Sequence, residues 1–327
     1  MSLLLAEIDR VEARIGWRNL RVLVRMTGGL GNQLFQYALA LHLADLGAQV
    51  CLDILSYHND IFRRRFSLEF LPQRLQVVGH HRPRPYPLPQ IEQPQALPSG
   101  WDFLADPKDN PFVGSRDQIL TDTDSGWADR MIDSHSEYWT FQGYWQSWPL
   151  VSRVGVLRSD LDQIRAHWQL PEQYSQLESD RAAMVHVRRN FDRAADGQMA
   201  VKGLHWELPV SYYCRQLQKI RRLCPNYRAF VFTNDPDWCC RYLMPLVGSD
   251  SDLIAEYRHA DWFDLLMMSR CKYQLIANST FSWWSGWLSR GQVFAPRVWL
   301  DSEKVPDAST PLDGWQQAYA GSGWVLG

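Results

Sequence analysis

Three short segments bring together residue types that could bind an anion or move a proton. His186-Val187-Arg188-Arg189 closes the β-branched run Met184 to Arg188. On a strand, His186 and Arg188 share one face and Arg189 points to the other. Arg188 can grip a phosphate with a bidentate, charge-assisted pair, or it can serve a salt bridge, and His186 either meets a ligand or is satisfied within the fold. Asn278-Ser279-Thr280-Phe281-Ser282 follows the apolar run Tyr273 to Ala277 and opens a helical pattern. Its hydroxyls, amide and backbone N–H groups converge at a helix N-terminus, where anions bind. A single N-cap needs fewer polar residues than this. Gly28-Gly29-Leu30-Gly31-Asn32-Gln33-Leu34 is a glycine turn after Arg21 to Met26. It resembles the dinucleotide turn GxGxxG, with Asp53 about 20 residues on, but Leu34 stands at the third glycine position.

Carboxylates near these segments include Asp192, Asp196, Asp235, Asp237, Asp261 and Asp264. DxD occurs at Asp122–Asp124, Asp235–Asp237 and Asp250–Asp252. So short a pattern arises by chance in acidic loops, and no metal site is inferred from it.

The elements that must position these residues alternate. Leu4, Ile8, Val11 and Ile15 predict an amphipathic helix over 3–18, which packs on the body or on a partner. A strand over 21–26, a helix from Leu34 to Gly47 and a strand over 48–54 make a βαβ unit. Six prolines between Arg82 and Pro98 predict an extended loop. Periodicity is poor in the middle of the chain. It resumes with strands at 184–188, 229–233, 273–277 and 292–295, and with helices at 210–223, from Pro236, at 262–271 and after Thr280. The expectation is α/β, with two parallel layers that divide near 155–182.

Composition bounds the partners. With 327 residues, 46% of them hydrophobic and 21% charged, the chain can build one or two cores. A formal net charge of -2 offers no basic field for nucleic acid. No run approaches a membrane span or a leader, so a cytoplasmic protein is expected. The six cysteines lack both disulfide density and zinc spacing, and free thiols are expected.

Together the segments resemble glycosyltransferase family 11, the α-1,2-fucosyltransferases. GGLGNQLFQYA (28–38), GYWQS (143–147), HVRR (186–189), FTNDPDW (232–238) and CKYQLIANSTFSWWSGWL (271–288) stand in the family's order. The resemblance implies a GT-B fold, two Rossmann-like domains facing across a cleft, here 1–175 on the acceptor side and 176–327 on the donor side. It implies metal-independent, inverting transfer of L-fucose from GDP-β-L-fucose to O2 of a terminal galactose on a glycan, with no cofactor. Residue by residue, it implies that Arg188 holds the β-phosphate and that His186 and Asp264 contact guanine. It further implies that Ser279, Thr280 and Ser282 receive the diphosphate, that Asn278 and Phe281 also bind the donor, and that Gly29, Gly31, Asn32 and Gln33 face the donor from the first turn. The family usually reads HxRRGDY, with Asp five positions after His. This chain has Asn190-Phe191-Asp192, with Asp six positions after. Asp192 is the base if the turn absorbs one residue; otherwise Asn190 or Phe191 fills that space, and Asp196 or Glu207 is next. Similarly Thr233-Asn234-Asp235 stands where the family has Ser-Asp-Asp, so only Asp235 carries over.

Two other functions fit parts of the sequence. A NAD-dependent oxidoreductase accounts for the first turn and Asp53, and a glycan-binding protein without catalysis accounts for the 16 tryptophans and the altered HxRR segment. Trp283, Trp284 and Trp287 are expected in the core. Trp101, Trp127 and Trp139, with Trp145 and Trp148 around GYWQS, offer faces on which a sugar could stack.

Overall fold

A computed structural model of the chain describes residues 3–59, 64–79, 103–104, 118–189, 191–193, 199–201, 207–255, 259–296, 299 and 324–326. The predicted proline-rich loop lies outside them, as do Trp101, Asn190 and Asp196. The chain folds as two compact units, Met1–Arg84 with Ala96–Ile164, and Arg165–Gly327. The division falls within a helix, α5 below.

The N-terminal unit holds strands β1 (Arg21–Arg25), β2 (Gln49–Asp53), β3 (Gln76–Val78), β4 (Phe103–Leu104), β5 (Ile119–Thr121) and β6 (Tyr138–Gln142). Its helices are α1 (Leu3–Arg14), α2 (Leu30–Asp45), α3 (Trp127–Asp133), α4 (Trp148–Arg153) and α5 (Gly155–His167). Every strand pairing is parallel, in the order β4-β3-β2-β1-β6-β5. Helix α2 is apolar nearly all round, and thirteen of its residues are buried, which makes it a core helix rather than a surface one. Helix α1 buries Leu5, Ile8 and Val11 and leaves Ile15 exposed. It docks on its own unit: Glu7 accepts from the Ala128 amide at 2.8 Å, and Asp9 pairs with Arg153 at 2.9 Å.

The C-terminal unit holds β7 (Ala182–Val187), β10 (Arg228–Thr233), β11 (Ser251–Ala255), β12 (Tyr273–Leu275), β13 (Gln292–Ala295) and β14 (Trp324–Leu326), all parallel, in the order β11-β10-β7-β12-β13-β14. Between them run an antiparallel ribbon of β8 (Phe191–Arg193) and β9 (Met199–Val201), and helices α6 (Val210–Leu223), α7 (Pro236–Trp238), α8 (Met244–Val247), α9 (Asp261–Arg270) and α10 (Thr280–Leu288). From β7 outward this is strand order 3-2-1-4-5-6, the doubly wound arrangement that binds nucleotides where the order reverses. Ala183, Val185 and Val187 on one face of β7 pack into a core with Tyr212, Tyr213, Leu217 and Ile220 of α6. His186 therefore faces away from α6.

The α/β class and the parallel layers match the sequence expectation. Several elements were not foreseen. β11 takes in Asp252 of a DxD pattern from which no element was predicted, and β6 crosses the segment judged poorly periodic. All six cysteines are free, with Cys51, Cys224, Cys239 and Cys271 buried and Cys240 exposed. Among the described residues no helix is long and apolar enough to cross a membrane, and no group of three or more His, Cys, Asp or Glu is placed to hold a metal ion.

Candidate functional site

In each sheet the first strand has a late strand as one neighbour, and each such junction brings two of the sequence motifs together. In the C-terminal unit, where the strand order reverses, the junction lies between β7 and β12. Leu275 is in register with Val185, so both strands end at the same edge. His186-Val187-Arg188 and Asn278-Ser279-Thr280 leave that edge side by side, with the His186 and Phe281 rings 5.9 Å apart between centroids. On the other side Phe232 is in register with His186, so Asn234 and Asp235 emerge beside Arg189.

His186 is 6% exposed, and its Nδ1 has no hydrogen-bond partner within the protein. Burial, with Arg188 adding to it, lowers its pKa from 6.5 to about 3, so the ring is neutral at physiological pH. Arg188 is half-buried on the same side. Arg189 turns the other way, as strand alternation requires. It pairs with Glu207 at 2.6 Å, approaches Asp235 at 4.0 Å and lies over the Trp238 ring at 4.7 Å. Its backbone is clamped to Asn234, whose Oδ1 accepts from Arg189 N at 2.8 Å and whose Nδ2 donates to Arg189 O at 3.1 Å. Arg189 and Glu207 thus hold the end of the sheet, and Glu207 is taken up there rather than as a base. Asp192 falls on β8, in register with Ala200.

Helix α10 is aimed from within the core. Gln274 donates to the carbonyls of Met268 at 2.6 Å and Cys271 at 2.9 Å and accepts from Ser285 Oγ at 2.9 Å, which joins β12, α9 and α10 through one buried amide. Trp283, Trp284 and Trp287 pack on one another at 5.1–6.3 Å, as expected of a core cluster. Ser279 caps the helix by position and makes no side-chain capping bond; it and Thr280 are half-buried. Two expectations give way here. Ser282 is fully buried, its hydroxyl within reach of the Ala277 and Ser279 carbonyls, and Asn278 is 3% exposed with its amide donating to Trp299 O at 2.9 Å. Both side chains build the turn, and Ser279 stands at the N-terminus of α10, where backbone N–H groups point outward and an anion is favoured.

Asp264, in the first turn of α9, is buried at 7%. Its Oδ1 lies 2.8 Å from His259 Nδ1.

In the N-terminal unit the junction lies between β1 and β6. Here α2 starts at Leu30, four residues before the predicted start, so Gly31, Asn32 and Gln33 form its first turn instead of a loop. Gly28 has φ +79, and a Cβ there would fall 2.7 Å from Asn32 Nδ2. Gln33 is wholly buried; it donates to Gly28 O at 3.1 Å and Arg65 O at 2.7 Å and accepts from Ser67 N at 2.8 Å. The expectation that Gln33 faces a donor is therefore corrected: its amide is the tie between turn and body. Gln36 bridges the motifs, accepting from Thr27 N at 3.1 Å and donating to Gly143 O at 2.7 Å, and Gln146 donates to Asn32 Oδ1 at 3.1 Å.

GYWQS itself is a strained turn. Gly143 has φ +144 and Trp145 has φ +52, a left-handed conformation that a bulky residue rarely adopts. Asp122 holds it by accepting from Tyr144 N at 2.6 Å and Trp145 N at 3.2 Å. The turn buries Trp145 and throws Tyr144 outward, at 39% exposure. Trp127, Trp139 and Trp145 are 2%, 5% and 3% exposed, so the expected stacking faces are core. Trp127 and Trp145 pack around Phe141 at 5.4 and 5.3 Å. Asp124, Asp235, Asp250 and Asp252 of the DxD patterns likewise serve caps and arginine pairs, with Thr121 N, Trp238 N, Arg181 and Arg228 respectively. Asp53, the acid of the dinucleotide reading, accepts from Leu55 N at 2.9 Å and pairs with Arg25 at 3.2 Å.

Residues 175–318 match the family profile described as Glycosyl transferase family 11. The chain is 24% identical over 304 residues to an alpha-1,2-colitosyltransferase of Escherichia coli, covering 90% of this chain and 97% of that one. It is also 24% identical over 319 residues to the O-antigen biosynthesis glycosyltransferase WbnK of Escherichia coli, covering 89% and 98%. Among solved structures it is similar to POFUT1 in complex with GDP-fucose, with a TM-score of 0.43 and 13% identity over 83% of this chain and 94% of that one. The profile segment contains the whole β7/β12 edge, both curated relatives match over nearly their full length, and residues 175–318 are similar to glycosyl transferase family 11.

Proposed function

We propose that this glycosyltransferase transfers L-fucose, with inversion and without a metal, from GDP-β-L-fucose to O2 of a terminal galactose on a glycan. The observation that carries the reading is the juxtaposition at the β7/β12 edge of a half-buried arginine, a neutral buried histidine with an unpartnered Nδ1, and the N-terminus of α10. Diphosphate is an anion that an arginine and a helix N-terminus bind without a cation between them. As the acceptor oxygen bonds to the anomeric carbon, the bond to the β-phosphate oxygen breaks and GDP leaves with the added charge. Arg188 stabilises that charge in the transition state more than in the ground state. The acceptor's proton passes to a carboxylate, which we assign to Asp192. On the acceptor side, the exposed ring of Tyr144 takes the stacking role that the buried tryptophans cannot fill.

The colitosyltransferase relative favours a second donor, GDP-colitose, on the same nucleotide site. Purified protein in EDTA, offered GDP-fucose or GDP-colitose with a β-galactoside, is expected to release GDP and form an α-linked product with at least one donor. Transfer that requires added metal, or none from either donor across several galactosides, overturns the reading. A thermal shift with NAD and none with GDP would support the oxidoreductase instead.

A further inference from the structure

The turn after β6 holds one exposed ring in a frame tied at every neighbouring residue. Gly143 O accepts from Gln36 Nε2 at 2.7 Å, the buried Trp145 ring packs on Phe141 at 5.3 Å, and Gln146 donates to Asn32 Oδ1 at 3.1 Å. Asp122 closes the frame: one carboxylate oxygen accepts from Tyr144 N at 2.6 Å and from Trp145 N at 3.2 Å. Of residues 143–146, Tyr144 alone is exposed. Its ring edge rests on Gly28, where an added Cβ would fall 3.1 Å from Tyr144 Cε1. The frame costs free energy, because it keeps Trp145 at φ +52. Strain of this kind persists only where the surroundings over-determine it, and it collects at ligand sites.

A ring fixed in place before a ligand arrives loses little freedom on binding. Galactose suits such a ring. Its axial 4-hydroxyl leaves the C–H groups of C3, C4 and C5 side by side on one face, an apolar patch that packs on an aromatic face. We propose that Asp122 is a positioning residue: by holding the Tyr144 and Trp145 amides together, it fixes the Tyr144 ring as the platform for the terminal galactose of the acceptor. The inference rests on the reading of the acceptor as a galactoside and of Tyr144 as its stacking contact. Asp122 touches no substrate and acts through the ring. Stacking of this kind holds the acceptor alike in the ground and transition states, so its loss raises acceptor KM and leaves kcat at saturation little changed.

The test is a double-mutant cycle on the full chain, read as acceptor KM for a β-galactoside at saturating GDP-fucose, with GDP affinity by calorimetry beside it. Tyr144→Ala is expected to raise acceptor KM by about tenfold, the scale of one aromatic contact, while kcat and GDP affinity change little. Tyr144→Phe keeps the ring and should stay within about twofold of the wild type. Asp122→Ala, which frees both amides, should raise acceptor KM by a similar factor to Tyr144→Ala. In the Tyr144→Ala background it should add nothing, because the two changes remove one contact. Asp122→Asn keeps an oxygen to accept the amides but loses its charge. It should give a smaller rise that is likewise lost in the Tyr144→Ala background, and it decides the matter if Asp122→Ala does not fold. Independent, multiplying rises in KM, or an Asp122 variant with the KM of the wild type, overturn the positioning role while leaving Tyr144 as an acceptor contact. An unchanged acceptor KM in Tyr144→Ala overturns the reading of Tyr144, and the positioning role with it. A wild type that transfers nothing to any galactoside overturns the proposed reaction instead.

Discussion

The β1/β6 and β7/β12 junctions share parallel strand geometry and differ in how their polar groups are satisfied. At β1/β6 the motif amides turn inward: Gln33, Gln36 and the Asn32–Gln146 pair tie the glycine turn to GYWQS and to the body of the unit. At β7/β12 the buried His186 Nδ1 has no hydrogen-bond partner among the described residues, and α10 begins without a side-chain cap. Arg189 shows the contrast within a single segment, since it is fully engaged by Glu207, Asn234 and Trp238. A motif's spacing marks a strand end in both sheets. Only its hydrogen-bond partners separate a motif that builds the fold from one that awaits a ligand.

Breaking that contrast on the ligand side should have the largest effect. Arg188→Ala is expected to lower kcat by about 10²–10³, the scale for loss of one preorganised charge-stabilising group, with little change in melting temperature. Near-normal turnover by the folded variant would remove Arg188 from the mechanism. The fold-building side should respond in the opposite sense. At Gly143 a Cβ would sit 2.4 Å from the Asp122 carboxylate on a backbone at φ +144, so Gly143→Ala is expected to cost about 2 kcal/mol or more in denaturant unfolding while GDP affinity is unchanged. A variant as stable as the wild type would show that the turn relaxes freely. The smallest effect comes from His186. Its folded pKa, about 3, lies below the unfolded value of 6.5, so the unfolded chain binds the extra proton between those values. The native state accordingly loses stability as pH falls from 6.5 toward 3, by at most about 1.4 kcal/mol per pH unit. His186→Gln should flatten that slope, as read from unfolding midpoints at pH 7.5 and 5, and an equal slope in both proteins would place the charge elsewhere.

Much of this was legible in order. The alternation of strands and helices, the helix after the glycine turn and the polar segment at the end of β7 follow from apolar runs and turn residues that act locally. The errors share a cause. Gln33, Asn278 and Ser282 were expected at a ligand because they stand among polar neighbours, but burial is a property of what packs over a side chain and not of its neighbours in sequence. Trp127 and Trp139 were expected to stack on sugars for the same reason, and β6 and α3 place them inside. β11 was missed because its alternating Ser251-Asp252-Leu253 looks acidic, while Arg181 and Arg228 neutralise that edge from other parts of the chain.

By itself, the sequence determined the α/β class, the two layers, the location of the polar motifs at strand ends and their resemblance to glycosyl transferase family 11. These depend on residues close together in the chain, where periodicity, turn chemistry and motif spacing operate. The tertiary structure decided which motif amides are tied into the core, that among the described residues around GYWQS Tyr144 is exposed while Trp127, Trp139 and Trp145 are buried, and that His259 joins Asp264 to Tyr174. Those outcomes join residues as far apart as 85 and 107 positions, at Tyr174–His259 and Gln36–Gly143. Strand order sets such pairings, and strand order depends on how whole elements pack.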